Sequence, residues 1–435
     1  MHKSIPDSSG RPSRRQFLKS TSAASAFVLA ARNPAAPEEA ASPLPPAFSA
    51  LKPLGARVRP VAADEFHERL LHAQKLMSEL APKYDALFLA PGSSFYYFTG
   101  NRWSISERLL GLVLPRTGPA ILVVPAFEEG RLRERLQFPV EVRVWQEDES
   151  PTKIAAAALA ARGIRTGRMG IEETAAFTFF DHFRRAAPGF ECVSADAVTI
   201  ACRGRKSPHE LELMRLACEA TCDVFRAVFA SLKEGMSQED IGKLVEAGFS
   251  KMNLRGGALV LLGASAALPH GTVKPQKLKE GDVVLIDGGC SLEGYASDVT
   301  RTGIFGKASE KVARVFEIVR KAQDAALEAA RSEGLSGTVD DAARRVITEA
   351  GYGPDYKFFT HRLGHGIGLD VHEHPYLVRG SKTVLEAGMT FSNEPGIYIP
   401  GEFGLRCEDD MVIAAEGSAQ LLTPGFATSL EKPLG

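Results

Sequence analysis

Six cysteines in 435 residues are too few and too scattered for a disulfide framework. At ~150 residues per domain the chain is long enough for two or three domains, and for a core that needs no such staples. Neither sign of charge dominates: 52 Lys+Arg stand against 53 Asp+Glu, a net charge of −1. That balance excludes a general nucleic-acid or anionic-membrane binder. No uninterrupted apolar run approaches the ~18 residues of a membrane span, so none is expected in the mature chain. Glycine (40) and proline (26) are close to average usage, which leaves out collagen-like and low-complexity chains. A Gly-rich phosphate loop and a Gly-x-Ser-x-Gly elbow are both missing, so nucleotide hydrolysis and serine-hydrolase chemistry lose their usual carriers. At 44% hydrophobic the chain is too apolar for intrinsic disorder.

What is present begins with the leader. Ser13-Arg14-Arg15-Gln16-Phe17-Leu18-Lys19 precedes a weakly apolar stretch from Ser20 to Ala31. A basic region followed by a short apolar one is the layout of an export signal, and the paired arginines resemble the twin-arginine type. A basic tail is the competing reading. Residues 1–32 are therefore expected to be a signal segment directing the protein to the periplasm or outside the cell. Residues 33–62, rich in Ala and Pro, read as an extended linker.

Folded pattern starts at about residue 63. Phe66, Leu70, Ala73, Leu76, Met77 and Leu80 recur at three-to-four spacing, the signature of an amphipathic helix. Short apolar runs at Ala86–Ala90, Leu109–Leu114 and Ala120–Val124, then alternating Val140, Val142 and Val144, read as strands with helices between them. Residues 63–202 thus form a mixed α/β domain with no cluster of His, Cys or paired carboxylates. A second domain, 207–430, opens on Ser207-Pro208-His209-Glu210, a capping box with proline in the first helical turn. Cys218 and Cys222 fall on the apolar stripe of that helix and read as buried thiols rather than ligands. Two helix pairs around a strand region suggest two similar halves.

Chemistry concentrates in three places. The apolar strand Val283–Ile286 runs into Asp287-Gly288-Gly289, and Asp298 follows eleven residues after Asp287. A hairpin turning at Leu292-Glu293 would make the aspartates cross-strand neighbours at ~5 Å. Two carboxylates that close require a shared proton or a cation; the competing reading of Asp287-Gly288 is an ordinary turn. His361, His365, His372 and His374, four of the ten histidines, fall within fourteen residues, and glycines flank His365, leaving room for close approach to its ring. Glu394 and Glu408 are symmetric about Gly401, so a second hairpin would join them among apolar strand residues, where carboxylates need partners.

Four carboxylates and a histidine suit two divalent cations, with carboxylate oxygens able to bridge ions ~3.5–4 Å apart. A water held between such ions is deprotonated near neutral pH and becomes a nucleophile, while the ions polarise a carbonyl: hydrolase chemistry. Mostly oxygen donors favour Mn²⁺, with Zn²⁺ or Co²⁺ as alternatives because of the histidine.

The ordered set Asp287, Asp298, His365, Glu394, Glu408 resembles the metallopeptidases of the creatinase/aminopeptidase "pita-bread" fold, in particular Xaa-Pro aminopeptidases and prolidases. The resemblance implies an α/β (α+β) architecture, a creatinase-like N-terminal domain ahead of a pita-bread catalytic domain. It implies that Asp287 binds one metal, His365 and Glu394 the other, and that Asp298 and Glu408 bridge. Glu394 would also carry the proton to the leaving nitrogen. His270, in Pro269-His270-Gly271, would lie near the substrate carbonyl, His372 would stabilise the tetrahedral intermediate, His361 would line the site, and Arg406 would orient acidic groups. His374 has no assured counterpart. Some prolidases carry an arginine after His-Glu-x-Pro that clamps a dipeptide's carboxylate; here that position is Tyr376, with Arg379 nearby. The implied activity is hydrolysis of the Xaa-Pro bond at a peptide N-terminus or in a dipeptide, by a homodimer. The rivals are a metal-free creatinase-type C–N hydrolase and a non-catalytic peptide-binding module on the same fold. Both usually lose the five ligands, which this chain retains.

Overall fold

The computed structural model describes residues 43–427 and 429–434. The expected signal segment at 1–32 lies outside them, as does the first part of the expected linker. The rest of that linker belongs to the fold. From Leu44 onward the chain is one compact unit, and a short 3₁₀ turn at Pro46–Ala50 buries Phe48 completely. Phe48, Leu51 and Val61 join the core of the C-terminal domain, beside Val224 and Phe249. Ala/Pro-rich composition hid this, because three well-spaced apolar residues suffice to dock a segment that has no regular pattern.

The N-terminal domain opens with helix α1 (Ala63–Glu79), which buries Phe66, Leu70, Ala73 and Met77 as its spacing predicts. Its sheet comprises β1 (Ala86–Leu89), β2 (Gly111–Pro115), β3 (Ile121–Pro125), β4 (Glu141–Trp145), β5 (Gly167–Ile171) and β6 (Phe190–Ser194), in the order β4-β3-β2-β1-β5-β6. One of the helices expected between the strands forms at Pro151–Ala161. Alternate residues of the central strands enter two separate cores: Leu87, Leu89 and Leu112 face one, Phe88, Val113 and Val123 the other. A sheet covered on both faces explains why these strands read as continuous apolar runs. Helix α2 (Ser93–Thr99) follows β1, and α3 (Asp196–Gly204) closes the domain.

Helix α4 (Pro208–Phe229) begins as its capping box requires: Glu210 N–H donates to Ser207 Oγ at 3.2 Å, and Ser207 N–H to Glu210 Oε2 at 2.7 Å. With α5 (Gln238–Lys251) it packs on an antiparallel sheet of β7 (Gly256–Leu262), β8 (Val283–Leu292) and β10 (Val299–Ile304), in the order β10-β8-β7, with the short β9 (Tyr295–Ala296) paired to β8. Helices α6 (Glu310–Ala329) and α7 (Ser336–Ile347) accompany the second half. There β11 (Gly364–Gly366), β12 (Glu373–Leu377), β13 (Thr390–Asn393), β16 (Asp409–Ile413) and β17 (Ala419–Leu421) run in the order β12-β11-β13-β16-β17, and β14 (Gly396–Ile399) and β15 (Phe403–Arg406) form a hairpin. Each half supplies one acidic hairpin to a shared cavity. Among the described residues no helix is long and apolar enough to cross a membrane.

Ionic contacts tie the two domains together. Arg203 of α3 pairs with Asp370 (2.6 Å) and Glu373 (2.5 Å), and Lys206 pairs with Glu373 at 2.6 Å. The basic run Arg203–Lys206 thus serves the domain junction beside the loop that carries His372.

Candidate active site

Asp287 lies inside β8, which disposes of the ordinary-turn reading. The hairpin turns one residue later than expected, at Glu293 and Gly294, both with positive φ (47° and 94°). That shift moves the pairing by two. Thr300 sits opposite Asp287, and Asp298 lies diagonally on the same face rather than directly across. Gly289 is required by packing, since a Cβ there would stand 2.0 Å from the Ser297 carbonyl oxygen.

The second hairpin has the expected register. Asn393 pairs with Asp409 on one side and Gly396 with Arg406 on the other, so Glu394 and Glu408 face each other between the two ladders. His365 is on β11, whose flanking glycines answer to neighbouring backbone rather than to space around the imidazole. A Cβ at Gly364 would lie 2.0 Å from the Ser392 carbonyl oxygen, and one at Gly366 2.3 Å from the His374 backbone.

These elements bring all five expected ligands into one cavity of about 350 Å³, lined also by His270, His361, His372, Arg362 and Arg406. Single donor atoms of Asp287, Asp298 and Glu408 lie within 4.8 Å of one another, as do those of His365, Glu394 and Glu408, and those of Asp298, His365 and His372. His365 Nε2 is 3.3 Å from Glu394 Oε1 and 3.9 Å from Asp298 Oδ2. Its Nδ1 donates to the Gly366 carbonyl oxygen at 3.2 Å; burial acts downward on the ring, but Glu394 beside Nε2 outweighs it and raises the pKa of His365, so without a cation Nε2 also holds a proton, which a bound ion would displace to reach the lone pair.

That cluster requires positive charge at its centre. Burial, and then repulsion from Asp287 and Asp410, raises the pKa of Asp298 well above the usual carboxylate range. Glu408 is raised likewise by burial and by Asp298 and Glu394. For Glu394 burial acts upward, but His365 and His361 outweigh it and hold the group down at about 2. Without a cation the carboxylates must bind protons; divalent ions would replace those protons and meet the imidazole lone pair as well. The donor set therefore fits divalent metal.

Surrounding groups are held by residues that pattern reading did not single out. Arg406 pairs with Asp287 Oδ2, and donates to Tyr398 Oη at 2.8 Å and Thr300 Oγ1 at 3.1 Å. His361 Nδ1 is 2.8 Å from the Arg362 carbonyl oxygen and must donate to it, so Nε2 accepts the Tyr398 hydroxyl at 2.7 Å. Burial lowers the pKa of His361. Asp410, wholly buried, accepts the Asp298 N–H at 2.9 Å and the Cys218 thiol at 3.3 Å; burial pushes it up to about 7. The acidic run Glu408-Asp409-Asp410 was its only signal. Cys222, Cys290 and Cys407 are buried thiols. The His372 ring centroid is 3.9 Å from that of His365, and burial and His365 lower its pKa. His270 stands exposed at the cavity rim. His374 packs on Tyr376 at 4.8 Å and does not line this cavity. Arg379 is engaged with Asp355 at 2.7 Å.

Two domains, the second carrying a carboxylate–histidine cluster between paired hairpins, define a metallopeptidase of pita-bread type. Residues 212–415 match metallopeptidase family M24, and residues 69–204 match the creatinase/prolidase N-terminal domain. The chain is 34% identical to the Xaa-Pro dipeptidase of Pyrococcus furiosus over 361 residues, covering 81% of this chain and 97% of that one. Among solved structures, dipeptidase PepE from Mycobacterium ulcerans superposes with a TM-score of 0.78 at 32% identity, covering 84% and 98% of the two chains. A prolidase from Thermococcus sibiricus gives 0.74 at 33%, covering 83% and 97%. The chain belongs to metallopeptidase family M24.

Proposed function

We propose that the protein is an exported, homodimeric peptidase that hydrolyses the Xaa-Pro bond of dipeptides or peptide N-termini. The observation that carries the reading is the convergence of five metal-compatible donors with His270, His361 and His372 in one cavity. The names of the relatives, Xaa-Pro dipeptidase and prolidase, supply the substrate class. Asp287, Asp298, His365, Glu394 and Glu408 would hold two divalent ions, Mn²⁺ by preference for oxygen donors. Bound there, the ions supply a Lewis acid and offset the carboxylate charge.

The chain's own residues do the rest. Hydrolysis adds water across the carbon–nitrogen bond: hydroxyl goes to the carbonyl carbon, and a proton must reach the proline nitrogen. Glu394 is the proton carrier. It is ionised at neutral pH, so an Oε atom takes a proton from the attacking water and gives it to the leaving nitrogen. His372, kept neutral, offers a ring N–H to the developing oxyanion. Arg406 and Thr300 orient Asp287 and Glu408. The test is hydrolysis of Ala-Pro and Ala-Pro-Ala by chelated and Mn²⁺-reconstituted protein. Reconstituted protein is expected to cleave, and Glu394→Gln to lose turnover by about 10²-fold or more while retaining its fold. Absence of turnover with every divalent ion overturns the reading.

A further inference from the structure

A second, smaller pocket of about 170 Å³ adjoins the metal cavity at the domain junction. It lies outside the carboxyl ends of the parallel strands β1, β5 and β6, the place where open α/β sheets receive ligands. Ser94 stands shortly after β1, Glu172 and Glu173 directly after β5, and Asp196 opens α3 just beyond β6. The opposite wall comes from the catalytic domain and includes His372, which also lines the metal cavity. Tyr376 lines the pocket too, and the guanidinium of Arg362, a residue of the metal cavity, stands 4.4 Å over its ring. The two spaces therefore share a wall. The smaller one is below the size of a whole-ligand site and suits one group of a larger molecule.

Its walls are rich in carboxylates. Asp370 and Glu373 are matched by Arg203 and Lys206. Glu172, Glu173 and Asp196 differ: among the described residues no lysine or arginine pairs with any of the three. Arg203 lines the pocket, but its terminal nitrogens go to Ser94, Asp370 and Glu373. Glu172 is 5% exposed, and its Oε2 is buried with no hydrogen-bond partner. Burial raises its pKa against the pull of Ser94 and Arg203. Asp196 is pushed up to about 6 by burial and by its hydrogen bond with Glu173. Glu173 is lowered by the same bond and by Ser194, with His374 adding to the effect. A domain whose sequence showed no carboxylate cluster thus gathers three, one of them with a buried acceptor unfilled. Such a site is completed by a cation. The donor groups spaced to hold a metal ion among the described residues all belong to the metal cavity, so the spacing here suits a larger, organic cation.

We propose that this pocket is a specificity site for the ammonium or guanidinium group of a lysine or arginine in the substrate peptide, received by Glu172 with Glu173 and Asp196. This rests on the peptidase reading above and names the class of peptide that the enzyme prefers. A cationic side chain passing His372 forms charge-assisted hydrogen bonds with carboxylates that otherwise hold protons. The N-terminal domain then selects substrate through the ends of its strands, besides packing on the catalytic domain.

The experiment compares kcat/KM for Lys-Pro against norleucine-Pro, and for Ala-Pro-Lys against Ala-Pro-norleucine, in the Mn²⁺-loaded wild type, Glu172→Gln, Glu173→Lys and Glu147→Gln. Norleucine keeps the length of lysine without its charge. The wild type should favour lysine in one of the two pairs, and that pair tells which side of proline the pocket serves. In Glu172→Gln the lysine-to-norleucine ratio of that pair should fall by about tenfold, the effect of losing a charge-assisted bond. Glu173→Lys should push the ratio below unity. Glu147→Gln, which alters an exposed carboxylate of the same domain paired with Arg108, should leave it unchanged. If Glu172→Gln does not fold, Glu173→Lys, at an exposed position, still decides. A wild type indifferent to the charge in both pairs, or a preference that survives the Glu172 and Glu173 substitutions, overturns this inference alone. A wild type that cleaves no Xaa-Pro substrate overturns the peptidase reading and this inference with it.

Discussion

Thr300 and Glu408 are joined twice: the Glu408 N–H donates to the Thr300 carbonyl at 3.1 Å, and the Thr300 hydroxyl lies 2.6 Å from Glu408 Oε2. The same hydroxyl is 2.8 Å from Asp287 Oδ1. One side chain therefore touches an acidic residue from each hairpin and sets their separation. It has a single hydrogen for two carboxylate oxygens, in keeping with the proton that Glu408 retains when no cation is present.

Thr300→Val keeps the shape and removes that hydrogen bond. Divalent-ion affinity is expected to drop about 10–100-fold, the usual cost of losing a group that orients a ligand. Thr300→Ser should restore most of it. Titration of the chelated protein with Mn²⁺, followed calorimetrically, measures both.

The metal-free protein should lose stability as pH rises. Asp298, Glu408 and Asp410 have folded-state pKa values above their unfolded ones. Such groups stabilise the fold below the unfolded pKa, and that contribution fades as pH climbs through the folded one. For Asp410 the window runs from about 4 to about 7; for Asp298 and Glu408 it starts in the same range and extends upward. Glu394 works in the opposite sense, but its window lies between about 2 and about 4.3, so it contributes no slope above pH 5. Thermal melts of chelated protein from pH 5 to 8 should show a falling Tm, and Mn²⁺ should flatten the trend.

Phe48→Ala should destabilise the protein by about 3–5 kcal/mol, as expected for a fully buried aromatic side chain. Removing residues 1–60, which takes away Phe48 and Leu51 together, should have a similar or larger effect. Urea unfolding separates these cases.

The proposed export would depend on the paired arginines Arg14 and Arg15. Replacing Arg14 and Arg15 by Lys is expected to keep the protein in the cytoplasm, with the uncleaved chain accumulating there. Fractionation of expressing cells is the check, and an unchanged distribution removes the twin-arginine assignment.

Much of this site could be read from the chain because its ligands interrupt apolar strands. Asp287 ends a run of Val and Ile, and Glu394 and Glu408 sit symmetrically about a glycine turn, so hairpin geometry alone pairs the glutamates. The aspartate pair was less legible. A two-residue turn one position later made Thr300, rather than Asp298, the partner of Asp287, and sequence symmetry locates a turn only to within a residue or so. The roles of Tyr398, Asp410 and Arg301 could not be read for another reason: their partners lie far along the chain. Tyr398 reaches back to His361, Asp410 to Cys218, and Arg301 forward to Asp409 at 2.6 Å. Local pattern carries no information about such meetings. Phe48 escaped because one aromatic residue in a Pro-rich stretch has no period.

The cavity lies on a seam, with one hairpin from each half of the catalytic domain and Thr300 stitched to Glu408 across it. Neither half holds a complete donor set. A high-affinity ion can consequently enter only after both halves have folded and docked, so ion uptake reports on assembly as well as on activity. A partly folded chain would be unable to hydrolyse peptides, and the reactive centre would come into being last.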